Sequence, residues 1–379
     1  MKREELSDAM GMLDEKILQE TESIRARAKK KSVIRKWIAA AACLCLIASG
    51  TAFTVLGNQN LPQFPNQEIL LCSGGGGGGS VRNDLSELKN GNPWTAEMGL
   101  RKLPVYKNGS YSGSVALVGM NEEEMRKNLS DVAEDFGIQV KSVKTIADQT
   151  ALLPLGTVSQ IRAQGDTASI EVFADGTVII QFIGGYDIPE DYRFTLDEST
   201  DEEAGAVMTY LSGQFADKLS FSDPQVVLKG WNFYDKWTRE YYLYDGSGND
   251  TKDILNYNFR YVQFIPNGNG DLWRVVIHDY LTCGEKLGNY PLITEEEAGE
   301  LLEDGAYFCY SMLRHSGEDI LADVMKVEIV YVYSSAMEYL MPYYHFYVYV
   351  KDDYLEAKEG VKHYTSYYVP AVDSQYFSE

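Results

Sequence analysis

The stretch "WIAAAACLCLIASGTAFTVL", Trp37–Leu56, constrains this chain more than any other. It contains no charged residue, and an apolar helix of about 20 residues is what crosses a bilayer. Lys29, Lys30, Lys31, Arg35 and Lys36 stand directly before it. The positive-inside rule then predicts cytoplasmic residues 1–36, a single membrane-spanning helix over 37–56, and an extracytoplasmic C-terminal body. On this reading the protein sits in the cell membrane and the lipid bilayer is its first partner. Three alternatives compete. A lipoprotein needs a Cys after the apolar run, but before Cys43 and its alanines stand only Trp37 and Ile38 as strong apolar residues. A cleaved signal peptide has small residues available at Ala48, Ser49 and Gly50, but such peptides open with a short basic head, not one this long. A buried core helix suits the alanines but not the basic flank.

Charge divides the chain at the same place. Residues 1–36 hold ten Lys+Arg against seven Asp+Glu, a net of +3. The remainder of the 379 residues holds 24 against 49, a net of −25. So acidic a body excludes duplex nucleic acid as its partner. Between the two lies "SGGGGGGS", Ser73–Ser80. Six successive glycines offer no side chain to bury and lose much entropy if ordered. With Pro62 and Pro65 they make residues 57–92 a flexible tether.

The head, "EELSDAMGMLDEKILQETESIRARAKKK", has helical periodicity. Leu6, Met10, Leu13, Ile17 and Ile24 fall on one stripe, which a lone helix cannot bury against itself. A solvated juxtamembrane helix is one reading. The other is a docking stripe for a partner protein in the cytoplasm or membrane.

In the body, "NEEEM" at Asn121, "TDEEA" at Thr200 and "TEEEA" at Thr294 each place a capping residue three positions before Glu124, Glu203 and Glu297. That is the capping-box spacing. Helical periodicity follows each one: Met125, Leu129, Val132, Ala133 and Phe136, then Ala204, Val207, Met208, Leu211 and Phe215, then Ala298, Leu301, Leu302 and Ala306. Strand-like segments come next. They include "ASIEVFADGTVIIQFI" with its Asp175-Gly176 hairpin turn, "REYYLYDG", "LNYNFRYVQFI" and "LWRVVIHDYL", and finally "VMKVEIVYVY", "YYHFYVYV" and "HYTSYYVPAV". The expected fold class is therefore α+β, with an N-terminal transmembrane helix, a Gly-rich tether and a tandem of helix-plus-antiparallel-sheet units over 93–195, 196–288 and 289–379.

The last unit resembles a known type. "YPLITEEEAGELLEDGAYF", the strands around Met341-Pro342 and the closing Val369-Pro370-Ala371-Val372 are similar to PepSY-type modules and to the extracytoplasmic YycH/YycI regulators of Gram-positive bacteria, over roughly 289–372. The resemblance implies cystatin-like folds that bind or restrain other proteins, and it brings no catalytic residues. The head more distantly resembles anti-sigma-factor-like proteins, without their Cys/His zinc pattern.

Chemistry-bearing motifs are few. His278, His315, His345 and His363 show no metal-ligand spacing among themselves. "YSGS" lacks the Gly-x-Ser-x-Gly spacing of a nucleophile elbow. "DGSGNDTKD", Asp245–Asp253, has Asn256 where a calcium loop needs Glu, and it reads as a hairpin turn. Cys43 and Cys45 fall in the apolar run. Cys72, Cys283 and Cys309 are too few for a disulfide framework, leaving Cys283 with Cys309 as an open pairing. No catalytic residue, metal site or cofactor is expected. In "YYHFYVYV", alternation puts Tyr343, His345, Tyr347 and Tyr349 on one face. That face either stacks on a cell-wall glycan or another chain, or pairs with neighbouring strands. The expected function is a membrane-anchored extracytoplasmic binding module that regulates or senses a partner protein. A cell-wall hydrolase and a structural cell-surface protein are the alternatives.

Overall fold

The structure, a computed structural model, describes residues 61–66, 90–111, 119–147, 158–197, 199–233, 236–246, 248–309, 314–317, 319–351 and 363–378. The docking stripe from Leu6 to Ile24, the run Trp37–Leu56 and the six glycines lie outside them.

Helices α1 (Glu122–Asp135), α2 (Asp201–Phe215) and α4 (Glu295–Glu303) begin at the three capping boxes. At the first, the Asn121 amide N–H donates to the Glu124 carboxylate at 2.8 Å and Glu124 N–H donates to Asn121 Oδ1 at 3.0 Å. Each box satisfies two backbone donors that a helix start leaves open. A further helix, α3 (Asp250–Phe259), is capped by the Asn249 side chain. It occupies part of what the sequence reads as a turn and a strand.

The strands are β1 (Phe64–Pro65), β2 (Lys102–Asn108), β3 (Val140–Ala147), β4 (Val158–Gly165), β5 (Ala168–Phe173), β6 (Val178–Tyr186), β7 (Pro224–Phe233), β8 (Lys236–Asp245), β9 (Tyr261–Pro266), β10 (Leu272–Ile277), β11 (Gly284–Pro291), β12 (Val324–Tyr331), β13 (Tyr339–Leu340), β14 (Pro342–Val350), β15 (His363–Pro370) and β16 (Phe377–Ser378). The expected tandem of separate α+β units is corrected here. The meanders β3–β6 and β7–β10 join through antiparallel pairing of β6 with β10. The result is one eight-stranded sheet in the order β3-β4-β5-β6-β10-β9-β8-β7. Repetition of a helix and four strands is still visible, but the two copies share a sheet, because fusing their last strands removes two open edges.

Helices α1 and α2 lie on the same face of this sheet. Met125, Leu129, Val207, Met208 and Leu211 pack there against Ile161, Ile170, Ile180, Tyr241 and Phe264. Phe215 closes the seam between the repeats, with its ring 5.9 Å from Phe136, 5.4 Å from Tyr186 and 5.6 Å from Phe264. At β7–β9 the opposite face is met by α3, through Tyr257 against Val227 and Tyr244.

The C-terminal part holds two three-stranded sheets, β11-β2-β13 and β12-β14-β15. Leu103, Phe259, Leu302, Ile329, Phe346 and Val369 share their core. Residues 102–108 fell within the expected first unit, yet as β2 they pair with β11 and β13.

The expected membrane localisation and its single-pass helix are also corrected. Among the described residues no helix is long and apolar enough to cross a membrane.

Candidate functional site

Strand β14 keeps the alternation the sequence suggested, but both of its faces are inside. Tyr344, Phe346 and Val348 enter the C-terminal core. On the other face Tyr343, His345 and Tyr347 are buried, and only Tyr349 is partly exposed. Cross-strand register explains why. His345 stands directly opposite Glu328 on β12 and Tyr368 on β15. Its ring stacks on Tyr368 at 4.5 Å and its Nδ1 lies 3.2 Å from the Glu328 carboxylate. Tyr347 stands opposite Lys326 and donates its hydroxyl to Glu328 at 3.0 Å. Lys326 reaches the second carboxylate oxygen at 2.6 Å.

The remaining donor comes from far away in sequence. Asn90 Nδ2 donates to both Glu328 oxygens, at 2.9 and 3.2 Å. Its Oδ1 accepts from Lys326 at 2.9 Å, and its backbone carbonyl accepts from the Tyr257 hydroxyl at 3.0 Å. Burial acts to raise the Glu328 carboxyl, but the hydrogen bond and charge of His345, helped by Lys326, outweigh it. The group falls from 4.5 to about 2. A carboxylate held by four side chains and 1% exposed is fixed as an anion. It anchors Asn90, where the chain enters the body, and is poorly placed to exchange protons with a substrate.

A second cluster lies where the C-terminus crosses β11 and β13. Tyr290 on β11, Tyr339 on β13 and Phe377 on β16 surround the ring of Phe64. Centroid distances are 5.2, 5.3 and 5.4 Å, the first and third edge-to-face. Tyr376 backs Tyr290 at 5.3 Å. The C-terminal segment is set in place by backbone bonds from Ile293 N–H to Ala371 and from Asp373 N–H to Pro291. The Asp373 carboxylate then caps the turn Ser374–Tyr376.

Into this socket the chain inserts its own residues 62–66. Phe64 and Pro65 pair in parallel with Phe377 and Ser378. The Tyr290 hydroxyl donates to the Pro62 carbonyl at 2.7 Å, and Gln63 Nε2 donates to the Gln375 carbonyl at 3.0 Å. Phe64 is 1% exposed, while Pro62, Gln63, Pro65 and Asn66 are all exposed. Burying one Phe is worth roughly 1.5–3 kcal/mol, and each favourable ring pair adds about 0.5–1.5. Ordering the backbone costs about 1–2 kcal/mol per residue. The opposing terms are of similar size, so the segment is held by a small margin. Residues 57–92 were expected to be a tether, yet these five and Asn90–Asn92 are built onto the body. Sequence reasoning missed both anchors. The one available signal was a lone Phe between two prolines in a polar segment.

His278 and His315 have local roles. Burial lowers His278 to about 4, and its Nδ1 lies 2.7 Å from the Tyr280 hydroxyl. His315 Nε2 lies 2.8 Å from Asp323. Cys283 and Cys309 carry thiols, not a shared disulfide, and burial pushes Cys283 up to about 11. Among the described residues no group of three His, Cys, Asp or Glu side chains could hold a metal ion. No protein-family model and no curated protein matches this chain.

Proposed function

We propose that this protein is a binding module that regulates or senses a partner protein by holding an extended segment of it. The observation that carries this reading is the seating of Pro62–Asn66 through a two-residue parallel pairing with β16, with one aromatic side chain in a socket of three aromatic rings. Backbone pairing of an extended segment, with a pocket for a side chain, is a general mode of peptide recognition. Our reading of residues 289–372 as resembling PepSY-type and YycH/YycI-type regulators points the same way. Regulation then acts through binding and release.

Site-directed photocrosslinking of the full chain tests this. A crosslinker in place of Tyr339, at the socket, should capture a discrete protein in cells that make the chain. A crosslinker in place of Arg162, exposed on β4 of the eight-stranded sheet, should not. Equal capture from both positions, or none from Tyr339, would count against the reading.

A further inference from the structure

Resting on the binding-module reading, we propose that the socket formed by Tyr290, Tyr339 and Phe377 recognises a proline–x–aromatic–proline segment of the partner protein. The chain's own Pro62–Pro65 is then a resident competitor for that socket. The chemistry of the ligand follows from what the socket does with its occupant. Ring edges meet the Phe64 ring at 5.2 and 5.4 Å, so the central residue must be aromatic to satisfy both contacts. The flanking prolines hold the backbone extended and have no N–H to leave unsatisfied at a sheet edge. Residue x lies outside the socket. Gln63 is exposed and its side chain donates to the Gln375 carbonyl, so this position tolerates variation. The Tyr290 hydroxyl reads the carbonyl of the first proline, a contact any such segment can make.

Displaceability follows from how little the resident contributes. One side chain is buried and the strand pairing spans two residues. What keeps the resident in place is covalent attachment. A ligand carried on the same chain competes intramolecularly, at a raised effective concentration. A partner segment of equal intrinsic affinity is therefore excluded until it is abundant or itself carried on a docked protein. The socket is gated by competition and needs no moving lid.

The test uses the full-length chain and a fluorescein-labelled peptide, Leu-Pro-Gln-Phe-Pro-Asn-Gln, followed by fluorescence anisotropy. Phe64→Ala should bind the peptide at least tenfold more tightly than the unaltered chain. Phe64→Leu, which keeps the socket filled, should fall between them and carries the test if Phe64→Ala does not fold. A peptide with Ala for Phe should not bind. Equal binding by the unaltered chain and Phe64→Ala would overturn the resident-competitor role. No binding by a folded Phe64→Ala would overturn the assigned ligand class, while persistent crosslinks from position 339 would leave the binding-module reading standing. A concentration-dependent dimer in light scattering that requires Phe64 would overturn the proposal by making a second copy the occupant.

Discussion

Replacing Glu328 by Gln keeps the side chain's size and removes its charge, and the structure sets the cost. The carboxyl moves from 4.5 to about 2 on folding. At 1.36 kcal/mol per pKa unit, the folded surroundings favour the carboxylate by about 3 kcal/mol. With Glu328 1% exposed, little of this is screened by solvent. The figure agrees with the roughly 3–5 kcal/mol lost when one member of a buried ion pair is removed. Because the folded value is depressed, the contribution is complete above the ordinary value of 4.5 and is lost as pH falls towards 2. Urea unfolding at a series of pH values is the assay. At pH 7 Glu328→Gln should be less stable by about 3 kcal/mol, and the two curves should converge as pH approaches 2. A difference under about 1 kcal/mol at pH 7, or one that stays constant down to pH 2.5, would refute the account of Glu328 as the anion at the centre of the cluster.

Substitutions at three further sites test the local geometry. Gly176→Ala should cost more than 3 kcal/mol, on the order of the strain of a left-handed non-glycine residue plus a backbone clash. Its φ is +95° and a methyl group there would stand 2.3 Å from the Asp279 carbonyl oxygen. Gly137→Ala, at φ +66° with open space around it, should cost only about 1–2 kcal/mol, both substitutions being read by urea unfolding. Thr294→Ala should cost about 1 kcal/mol and Thr294→Gly only a few tenths, because Thr294 accepts from Glu297 N–H at 3.2 Å. Equal losses for Ala and Gly would mean that this cap contributes through packing.

What the sequence shows most clearly is what neighbouring residues decide among themselves. The capping boxes at Asn121, Thr200 and Thr294 need only three-residue spacing, and the buried stripe Ala204, Val207, Met208, Leu211 and Phe215 needs only helical period. The alternation in β14 is equally local. Long-range pairing is illegible for the same reason. Nothing in "KLPVYKN" says that β2 will join strands some 180 and 230 residues later, and nothing in β6 or β10 says that they will meet. Helix α3 is obscured by its content, since Tyr and Phe favour strands in isolation and its Asn249 cap reads equally as a turn. The Phe64 socket is least visible of all. Its walls come from β11, β13 and β16, so no window of sequence contains it.

The two anchors of the N-terminal segment differ in kind, and a double-mutant cycle separates them. Phe64 is held by shape and aromatic contact, which any similar segment can supply. Asn90 is held by a charge network with no interchangeable partner, because its amide donates to both Glu328 oxygens while its carbonyl accepts from Lys326. Asn90→Ala leaves the buried carboxylate short of one donor, a loss of about 1.5–3 kcal/mol for a hydrogen bond to a charged group. In a Glu328→Gln background that charge is gone, so the same substitution should cost about 1 kcal/mol or less. The coupling, on the order of 1–2 kcal/mol, should appear as non-additivity in urea unfolding at pH 7. A Phe64→Ala change should instead add to Asn90→Ala within about 0.5 kcal/mol, since the two sites share no partner side chain. Additive losses for Asn90 and Glu328 would show that Asn90 is held by its backbone contact to Tyr257 alone. Coupling between Phe64 and Asn90 would show that release of the resident strand reaches the charge cluster through the intervening sheets.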